Sequence, residues 1–426
     1  MTRTVEEAQW LLRAGRIEEA EQVFTRVLDE SPFDLQALNI VALAAIRLGH
    51  FHRARDLLKR AVAVGPDHAA SHHHLGRAEE LIGDLEQARS CYHRATTLSA
   101  ELPAARLHLA AVLEKLGQGH AALVQYVRVM GDQQRQGRWL DPAATPPALQ
   151  PLVAHAAQVV RNGSRALYFD LIELLAAEFG RSALGRVEQM LRIYLHEEPP
   201  AYIDERQQPT FLYFPDLPTT PYFDCGLFPG LEAIEAQAPA ILAELQALLG
   251  SNGGSNEVVF TSAELAAQNL RSHRGEPGWT GYYFYRHGER RDTNCAACPV
   301  TSAALEQLPL CHVEAHGPEV LFSVFTPGTH LLPHRGVTNT RVVGHLPLIV
   351  PPDCALNVGG EVHAWRQGRA VVFDDTYEHE AWNRSAETRV VLIFDLWNPH
   401  LADVERAAVA KLVHAIGEFR HAVEAA

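Results

Sequence analysis

The chain has 426 residues, enough for two or three domains, and its 47% hydrophobic and 21% charged content excludes a disordered protein. Its formal net charge of −14 argues against nucleic-acid binding, because neutralising phosphates requires a basic surface. No apolar stretch reaches the roughly 20 residues of a membrane span, and the acidic start does not fit a signal peptide. With six cysteines that form no disulfide framework, these features predict a cytoplasmic protein that contacts neither membrane nor nucleic acid.

The first third of the chain repeats every 34 residues. Three registers share this period: Gly15, Gly49, Gly83 and Gly117; Ala20, Ala54, Ala88 and Ala122; and Phe24, Leu58, Tyr92 and Tyr126. Glycine allows a tight turn between two antiparallel helices, alanine lets them approach closely, and the large residue fills the remaining space. These residues resemble the tetratricopeptide repeat and predict an α-solenoid over residues 1–132.

Stacked repeats of this kind form a superhelix whose concave face typically binds an extended peptide or a partner protein. We therefore expect the array to recruit a peptide or protein substrate. The alternative is an array that only caps or dimerises the rest of the chain, because three to four repeats are near the minimum for a self-supporting solenoid.

Residues 133–208 are predicted to form a linker and helical connector. The segment is polar, then rich in proline up to Pro151, and leucines at helical spacing follow over residues 152–195. Beyond it, the prolines of 209–224 predict an extended strip. Residues 231–249 read as a helix broken at Pro239, and residues 250–256 as a flexible loop.

Short apolar runs separated by glycine and proline predict a β-rich C-terminal half. The predicted strands are 280–286, 320–325, 341–350, 355–358, 361–365, 369–373, 380–382 and 389–397. Strands of this number and length are typical of a jelly roll, and an amphipathic helix is expected from Leu401 to Glu424. The predicted fold is a multidomain α + β chain, with the α-solenoid followed by a double-stranded β-helix (jelly roll) over residues 209–426.

Two histidines and an arginine lie among these predicted strands. His379 follows His334 by 45 residues, and Arg389 follows His379 by ten. This is the order in which a double-stranded β-helix holds a non-haem iron and a 2-oxoacid. The usual third iron ligand, an acid two residues after the first histidine, is replaced here by Gly336.

The motifs around these residues are specific. They are Ser323, Pro-Gly-Thr-His (327–330), Pro-His-x-Gly-x-Thr-Asn (333–339), Arg341 and His345, Trp365-x-x-Gly, Phe-Asp-Asp-x-x-x-His-Glu (373–380), and Arg389 with Asp395-x-Trp. Together they resemble the aspartyl/asparaginyl β-hydroxylase family over roughly residues 210–400. That family comprises Fe(II)- and 2-oxoglutarate-dependent oxygenases with a two-histidine iron site and glycine at the acid position, so Gly336 supports the resemblance.

The resemblance assigns a role to each residue of the motifs. His334 and His379 would bind Fe(II), and Arg389 would pair with the distal carboxylate of 2-oxoglutarate, with Ser323 and His345 adding hydrogen bonds. Arg341 would be catalytic, facing the carboxylate or amide of the substrate. The family often has a second arginine two residues later, where this chain has Val343.

The implied activity is hydroxylation by O2, coupled to decarboxylation of 2-oxoglutarate, at Cβ of an Asp or Asn residue in a peptide recruited by the array. Two alternatives stay open: hydroxylation of a free amino acid or small metabolite, and a repeat-based adaptor with an inactive jelly roll. The identity of the substrate, the effect of Val343 and the oligomeric state do not follow from the sequence.

Other polar residues of this half are given structural roles. His330 and His363 are expected to be structural, and Asp374 and Asp375 to form turns that orient His379. Cys295-x-x-Cys298 with Cys311-His312 could bind zinc, but only one close pair is present, so a role for these cysteines stays open.

Overall fold

The computed structural model describes residues 14–141, 143–250, 257–259, 268–271 and 278–426, together with residues 7, 10 and 11. The chain divides into two compact units, one within Met1–Ala166 and Phe419–Ala426 and the other within Leu167–Glu418. Residues 251–256 of the loop predicted at 250–256, and most of the N-terminal stretch that argued against export, lie outside the described residues. Of the helices in the described ranges, none is long and apolar enough to cross a membrane.

Antiparallel helices built on the 34-residue period form the first unit. In chain order the helices up to residue 194 are α1 (Ile17–Glu30), α2 (Leu35–Arg47), α3 (Phe51–Val64), α4 (Ala69–Ile82), α5 (Leu85–Leu98), α6 (Pro103–Lys115), α7 (Gly119–Arg135), α8 (Gln150–Phe179) and α9 (Gly185–Tyr194). Gly83 ends α4 with φ of 96°, a left-handed conformation that favours glycine. The repeat array predicted from the sequence is confirmed.

Close packing within one repeat explains a further glycine. A Cβ atom at Gly76 on α4 would lie 2.8 Å from the ring of Tyr92 on α5, and Tyr92 is fully buried. The two helices can therefore approach only because position 76 lacks a side chain.

A cluster of titratable and aromatic side chains lies inside the array. The rings of His73 and His108 are 5.7 Å apart, and both rings pack against Tyr92 at 5.8 and 5.5 Å. The Tyr92 hydroxyl donates to Glu80 at 2.8 Å. Burial, followed by the charge of neighbouring histidines, lowers the pKa of His73 to about 3 and that of His74 to about 4.

We expect the array to lose stability as the pH falls below about 6.5. Both histidines take up a proton near pH 6.5 when unfolded but stay neutral when folded, so the unfolded state binds more protons and acid favours it. Each histidine should remove on the order of 2 kcal/mol by pH 4.5. Thermal unfolding followed by circular dichroism between pH 7.5 and 4.5 measures the effect, and His73→Gln should weaken the pH dependence.

Other charged groups face the same cluster, so a control is needed. Arg77 and Lys115 pair with Glu80 at 3.0 and 2.7 Å, and His68 lies beside His74. The exposed His52 provides the control, because His52→Gln should leave the pH dependence unchanged. An equal slope in the His73→Gln protein and the wild type would contradict the prediction.

Two antiparallel sheets form the second unit. Its strands are β1 (Tyr222–Phe223), β2 (Glu257–Val258), β3 (Leu270–Arg271), β4 (Trp279–Arg286), β5 (Glu289–Arg290), β6 (Val320–Phe325), β7 (His330–His334), β8 (Arg341–Ile349), β9 (Cys354–Val358), β10 (Glu361–Ala364), β11 (Val371–Phe373), β12 (His379–Asn383) and β13 (Arg389–Trp397). The larger sheet runs β1-β11-β8-β13-β6-β4-β2 with β5 on β4, and the smaller runs β10-β9-β12-β7-β3. This architecture confirms the predicted jelly roll.

Strand β7 is an element that the sequence did not predict. Pro333 lies within it, and proline cannot donate to a sheet, so the residues around His334 were not among the predicted strands. The β7–β12 pairing has an irregularity between His379 and Ala381, opposite this proline. The irregularity accommodates the missing N–H group and leaves His334 directly opposite His379.

Helices cover the larger sheet and close the chain. They are α10 (Leu231–Ala236), α11 (Ala238–Gly250), α12 (Asp292–Ala297), α13 (Pro299–Leu305) and α14 (Asp403–Ala425). The predicted helix at 231–249 is broken at Gln237, just before Pro239. Glu244 on α11 accepts hydrogen bonds from the N–H groups of Val300 and Thr301, which fixes the start of α13 against α11.

Candidate active site

Two histidines face each other across the smaller sheet. His334 ends β7, His379 begins β12, and the two residues are register partners with ring centroids 4.1 Å apart. Each ring donates its Nδ1–H group to a carbonyl two residues earlier, Leu332 at 2.8 Å and Tyr377 at 3.1 Å. Because a carbonyl oxygen only accepts, each ring carries a proton on Nδ1, and Nε2 has the lone pair in the neutral form of the ring.

The protonation state of His379 suits a metal ligand. Burial, then the proximity of His334, lowers the pKa of His379 to about 3. The ring is therefore neutral at physiological pH, which is the form that binds a metal.

The position of the usual third ligand is filled by a neighbouring carboxylate. A Cβ atom at Gly336 would lie 2.2 Å from Cγ of Asp375, and the Gly336 N–H donates to the Asp375 carbonyl at 2.6 Å. Within the described residues, no group of three or more His, Cys, Asp or Glu side chains is placed to hold a metal ion together. The site offers two imidazoles, and glycine is required at 336 by the space that Asp375 occupies.

A buried cation lies in the same barrel. Arg389 begins β13 and is only 1% exposed, with its guanidinium 4.0 Å from the ring centroid of Phe325 and 4.5 Å from that of Trp365. It donates to the carbonyl and the Oγ atom of Ser323 at 3.4 and 3.3 Å, but no described carboxylate pairs with it. Burial lowers the pKa of Arg389 to about 9, since its charge lacks a compensating anion.

Several buried donors beside Arg389 lack a partner. Arg389 Nε, His345 Nδ1 and Trp365 Nε1 have no hydrogen-bond partner among the described residues. Ser323 Oγ accepts from Trp279 Nε1 at 2.9 Å as well as from Arg389, so its own hydrogen is left to donate. Buried polar groups are normally satisfied, and this group of donors around a cation fits an anionic ligand.

One cavity of about 420 Å³ joins the histidines to the arginine. All six residues to which the sequence assigned roles line it: Ser323, His334, Arg341, His345, His379 and Arg389. Arg389, Ser323 and His345 form one part of its lining, and the two imidazoles form another. A dianion that reaches from Arg389 to a metal on the histidines would satisfy both parts, so the residues fit Fe(II) and 2-oxoglutarate.

Arg341 is already neutralised by the protein. Its guanidinium pairs with Asp375 at 3.0 Å and with Asp395 at 3.0 Å. Its assignment as a group facing the substrate carboxylate stays a prediction, and the ion pairs give it a second role in holding Asp375 beside Gly336.

The remaining predicted residues lie outside the cavity or in turns. His330 pairs with Glu380 at 2.7 Å, and the ring of His363 is 5.5 Å from that of Tyr222. Asp374 accepts from the backbone and hydroxyl of Thr376, which forms the turn before His379. Burial raises the pKa of Cys298 to about 12 and that of Cys311 still further, as in inert buried thiols.

Sequence reasoning missed three residues of the site. Trp365 and Phe325 enclose the Arg389 guanidinium, and Asp395 pairs with Arg341. Trp365 and Asp395 stand in the quoted motifs without a role, so the motif pattern was the available signal. No sequence signal pointed to Phe325, because its contact with the Arg389 guanidinium results from the register between β6 and β13.

Comparison with known proteins decides the family. A profile described as Aspartyl/Asparaginyl beta-hydroxylase matches residues 235–399, and one described as Tetratricopeptide repeat matches residues 5–49 and 42–103. The protein named Aspartate beta-hydroxylase domain-containing protein 2 is 33% identical over 253 residues in Homo sapiens and 34% identical over 254 in Rattus norvegicus. Each alignment covers 58% of this chain, and they span 65% of the human and 70% of the rat protein. The chain belongs to the aspartyl/asparaginyl β-hydroxylase family.

The names of proteins similar to this chain state different substrates. The Ornithine lipid ester-linked acyl 2-hydroxylase of Rhizobium tropici is 34% identical over 191 residues, covering 44% of this chain and 64% of that protein. The human Aspartyl/asparaginyl beta-hydroxylase is 33% identical over 143 residues, covering 33% of this chain and 18% of that protein. Membership therefore identifies a hydroxylase family but does not fix what is hydroxylated.

Proposed function

We propose that this protein is an Fe(II)- and 2-oxoglutarate-dependent hydroxylase of a peptide or protein substrate. The observation that carries the proposal is one cavity lined by a buried arginine and two adjacent imidazoles, of which His379 is neutral. No described carboxylate pairs with this arginine. An arginine in this state is costly unless an anion joins it, and a dicarboxylate of the size of 2-oxoglutarate fits a cavity of about 420 Å³.

Different residues of the cavity would bind the metal and the co-substrate. His334 and His379 would hold Fe(II) through Nε2, and Arg389 would bind the distal carboxylate with Ser323 and His345 as hydrogen-bond donors. The bound iron supplies the redox chemistry that couples O2 and 2-oxoglutarate to hydroxylation of a C–H group. Trp365 packs over Arg389 and helps to exclude water from this pairing.

The target we propose is Cβ of an Asp or Asn residue, with the repeat array recruiting the peptide that carries it. Family membership supports the choice of an Asp or Asn side chain as the target. The match of the array to the tetratricopeptide repeat supports the recruitment of a peptide. Concave arrays of this kind bind extended segments, which suits an enzyme that acts on one side chain within a longer chain.

The proposal is tested by succinate formation from 2-oxoglutarate with the purified protein, Fe(II) and ascorbate. We expect slow turnover that falls to the enzyme-free level in His379→Ala, because one imidazole cannot hold the iron. The matched control is His330→Ala, which removes a histidine from the neighbouring strand that pairs with Glu380. It should keep wild-type turnover within about twofold.

An inactive adaptor makes the opposite prediction. Absence of turnover, together with no metal-dependent binding of 2-oxoglutarate, would contradict the proposed function and favour the adaptor. Equal turnover in wild type and His379→Ala would show that the succinate does not come from this site.

A further inference from the structure

We infer that the side chain hydroxylated by this protein is a carboxamide, as in an asparaginyl residue, and not the carboxylate of an aspartyl residue. The inference rests on the proposed function and narrows its substrate class. It follows from the charges and the hydrogen-bonding groups of the residues, other than Arg389, that line the cavity.

An apolar strip forms part of this wall. The register places Leu321 opposite Ile393, and Val343 opposite Asp395. Leu321, Ile393 and Val343 line the cavity. Here the wall offers van der Waals contact to a substrate side chain but no charge.

The arginines of the wall are matched by carboxylates. Arg286 pairs with Glu257, and Arg341 pairs with both Asp375 and Asp395. The two carboxylates on Arg341 already exceed its single positive charge. An entering carboxylate would therefore find no unpaired guanidinium on these two residues.

A third carboxylate adds to the excess of negative charge in the cavity lining. Glu319 lines the cavity, and its backbone N–H donates to Oδ2 of Asp395 at 3.0 Å. Its own carboxylate lies 2.9 Å from Nδ1 of His287. Among the described arginines and lysines lining the cavity, the only one without a carboxylate partner is Arg389, which the co-substrate would occupy.

A substrate carboxylate would consequently be disfavoured for two reasons. It would lose its hydration on entering the cavity without gaining a cation, and it would face Asp375, Asp395 and Glu319. An uncharged side chain escapes both penalties and keeps the apolar contact with the strip.

Asp375 favours a carboxamide over a carboxylate. Its Oδ2 atom pairs with Arg341, but its Oδ1 atom is buried and has no hydrogen-bond partner in the described part of the chain. Asp375 lines the cavity beside the histidines. A carboxamide has two N–H donors and a carboxylate has none, so only the amide can satisfy this oxygen.

The test compares two matched probes on the full-length protein. N-acetyl-L-asparagine N-methylamide and N-acetyl-L-aspartate N-methylamide differ only in the side-chain group. Their affinities are measured by titration calorimetry at pH 7.5 with Mn(II) and 2-oxoglutarate bound, which prevents turnover. We expect the asparagine probe to bind at least tenfold more tightly.

Two variants test whether the excess of negative charge in the cavity, and not a general disturbance of the fold, weakens binding of the aspartate probe. Asp395→Asn removes one carboxylate while keeping the side-chain shape, and should improve the affinity of the aspartate probe at least threefold relative to that of the asparagine probe. Asp403→Asn, in which the removed carboxylate is 98% exposed, should change neither affinity.

Each other outcome counts against the inference. It is overturned if the aspartate probe binds as tightly as the asparagine probe, or if neither binds while 2-oxoglutarate does. Failure of 2-oxoglutarate to bind in the same samples is a different result, because it contradicts the proposed function itself.

Discussion

Replacing Arg389 with methionine is expected to abolish 2-oxoglutarate binding and, without ligand, to stabilise the protein. The guanidinium is buried between Phe325 and Trp365, no carboxylate in the described part of the chain pairs with it, and burial lowers its pKa to about 9. Methionine has a similar volume and suits the aromatic surroundings. Removing an uncompensated charge should raise the free energy of unfolding by on the order of 1 to 4 kcal/mol.

Thermal unfolding with and without Mn(II) and 2-oxoglutarate measures both effects. The ligands should raise the melting temperature of the wild type but not that of Arg389→Met, since only a binding-competent native state gains from ligand. Arg384→Met serves as the control, because Arg384 is exposed and stacks on Trp382 at 4.5 Å. It should change stability by less than about 0.5 kcal/mol.

The prediction for Arg389 has two independent parts. A variant that still gains stability from 2-oxoglutarate would contradict the assignment of the co-substrate site. A variant that loses more than about 1 kcal/mol without ligand would contradict the expected stabilisation, because the guanidinium would then contribute to the stability of the free protein.

Introducing the usual acid at position 336 is expected to damage the site. The Cβ atom of Gly336→Asp would lie 2.2 Å from Cγ of Asp375, and the backbone there is also held by the hydrogen bond to the Asp375 carbonyl. The clash and the second carboxylate should lower the free energy of unfolding by on the order of 2 to 4 kcal/mol. Turnover of 2-oxoglutarate should fall at least tenfold, measured as succinate formed.

A double variant tests the cause of this loss. Gly336→Asp combined with Asp375→Gly removes the clash and should recover part of the lost stability in urea unfolding. Gly185→Asp is the control, because a Cβ atom there has nothing within 4 Å. A single variant as stable as the wild type, with undiminished turnover, would show that Asp375 moves aside and that glycine is not required.

Much of the architecture follows from local patterns in the sequence. The 34-residue period defines the repeat array, because each repeat buries the same small and large residues against its neighbours. Continuous apolar runs mark the main strands, since strands such as β6 and β13 are buried on both faces. Strand β7 escaped this reasoning because Pro333 breaks the pattern, and the irregular pairing with β12 that tolerates it is a tertiary feature.

The sequence by itself determined the repeat array, the order of His334, His379 and Arg389, and the glycine at the acid position. Only the tertiary structure decided that Asp375 fills the space beside Gly336, that Arg341 is neutralised, and that no described carboxylate pairs with Arg389. The reason is physical. A repeat period is a local pattern that can be seen in the sequence. Ion pairs depend instead on the register between strands, which brings Asp395 next to Arg341 although 54 residues separate them in the chain.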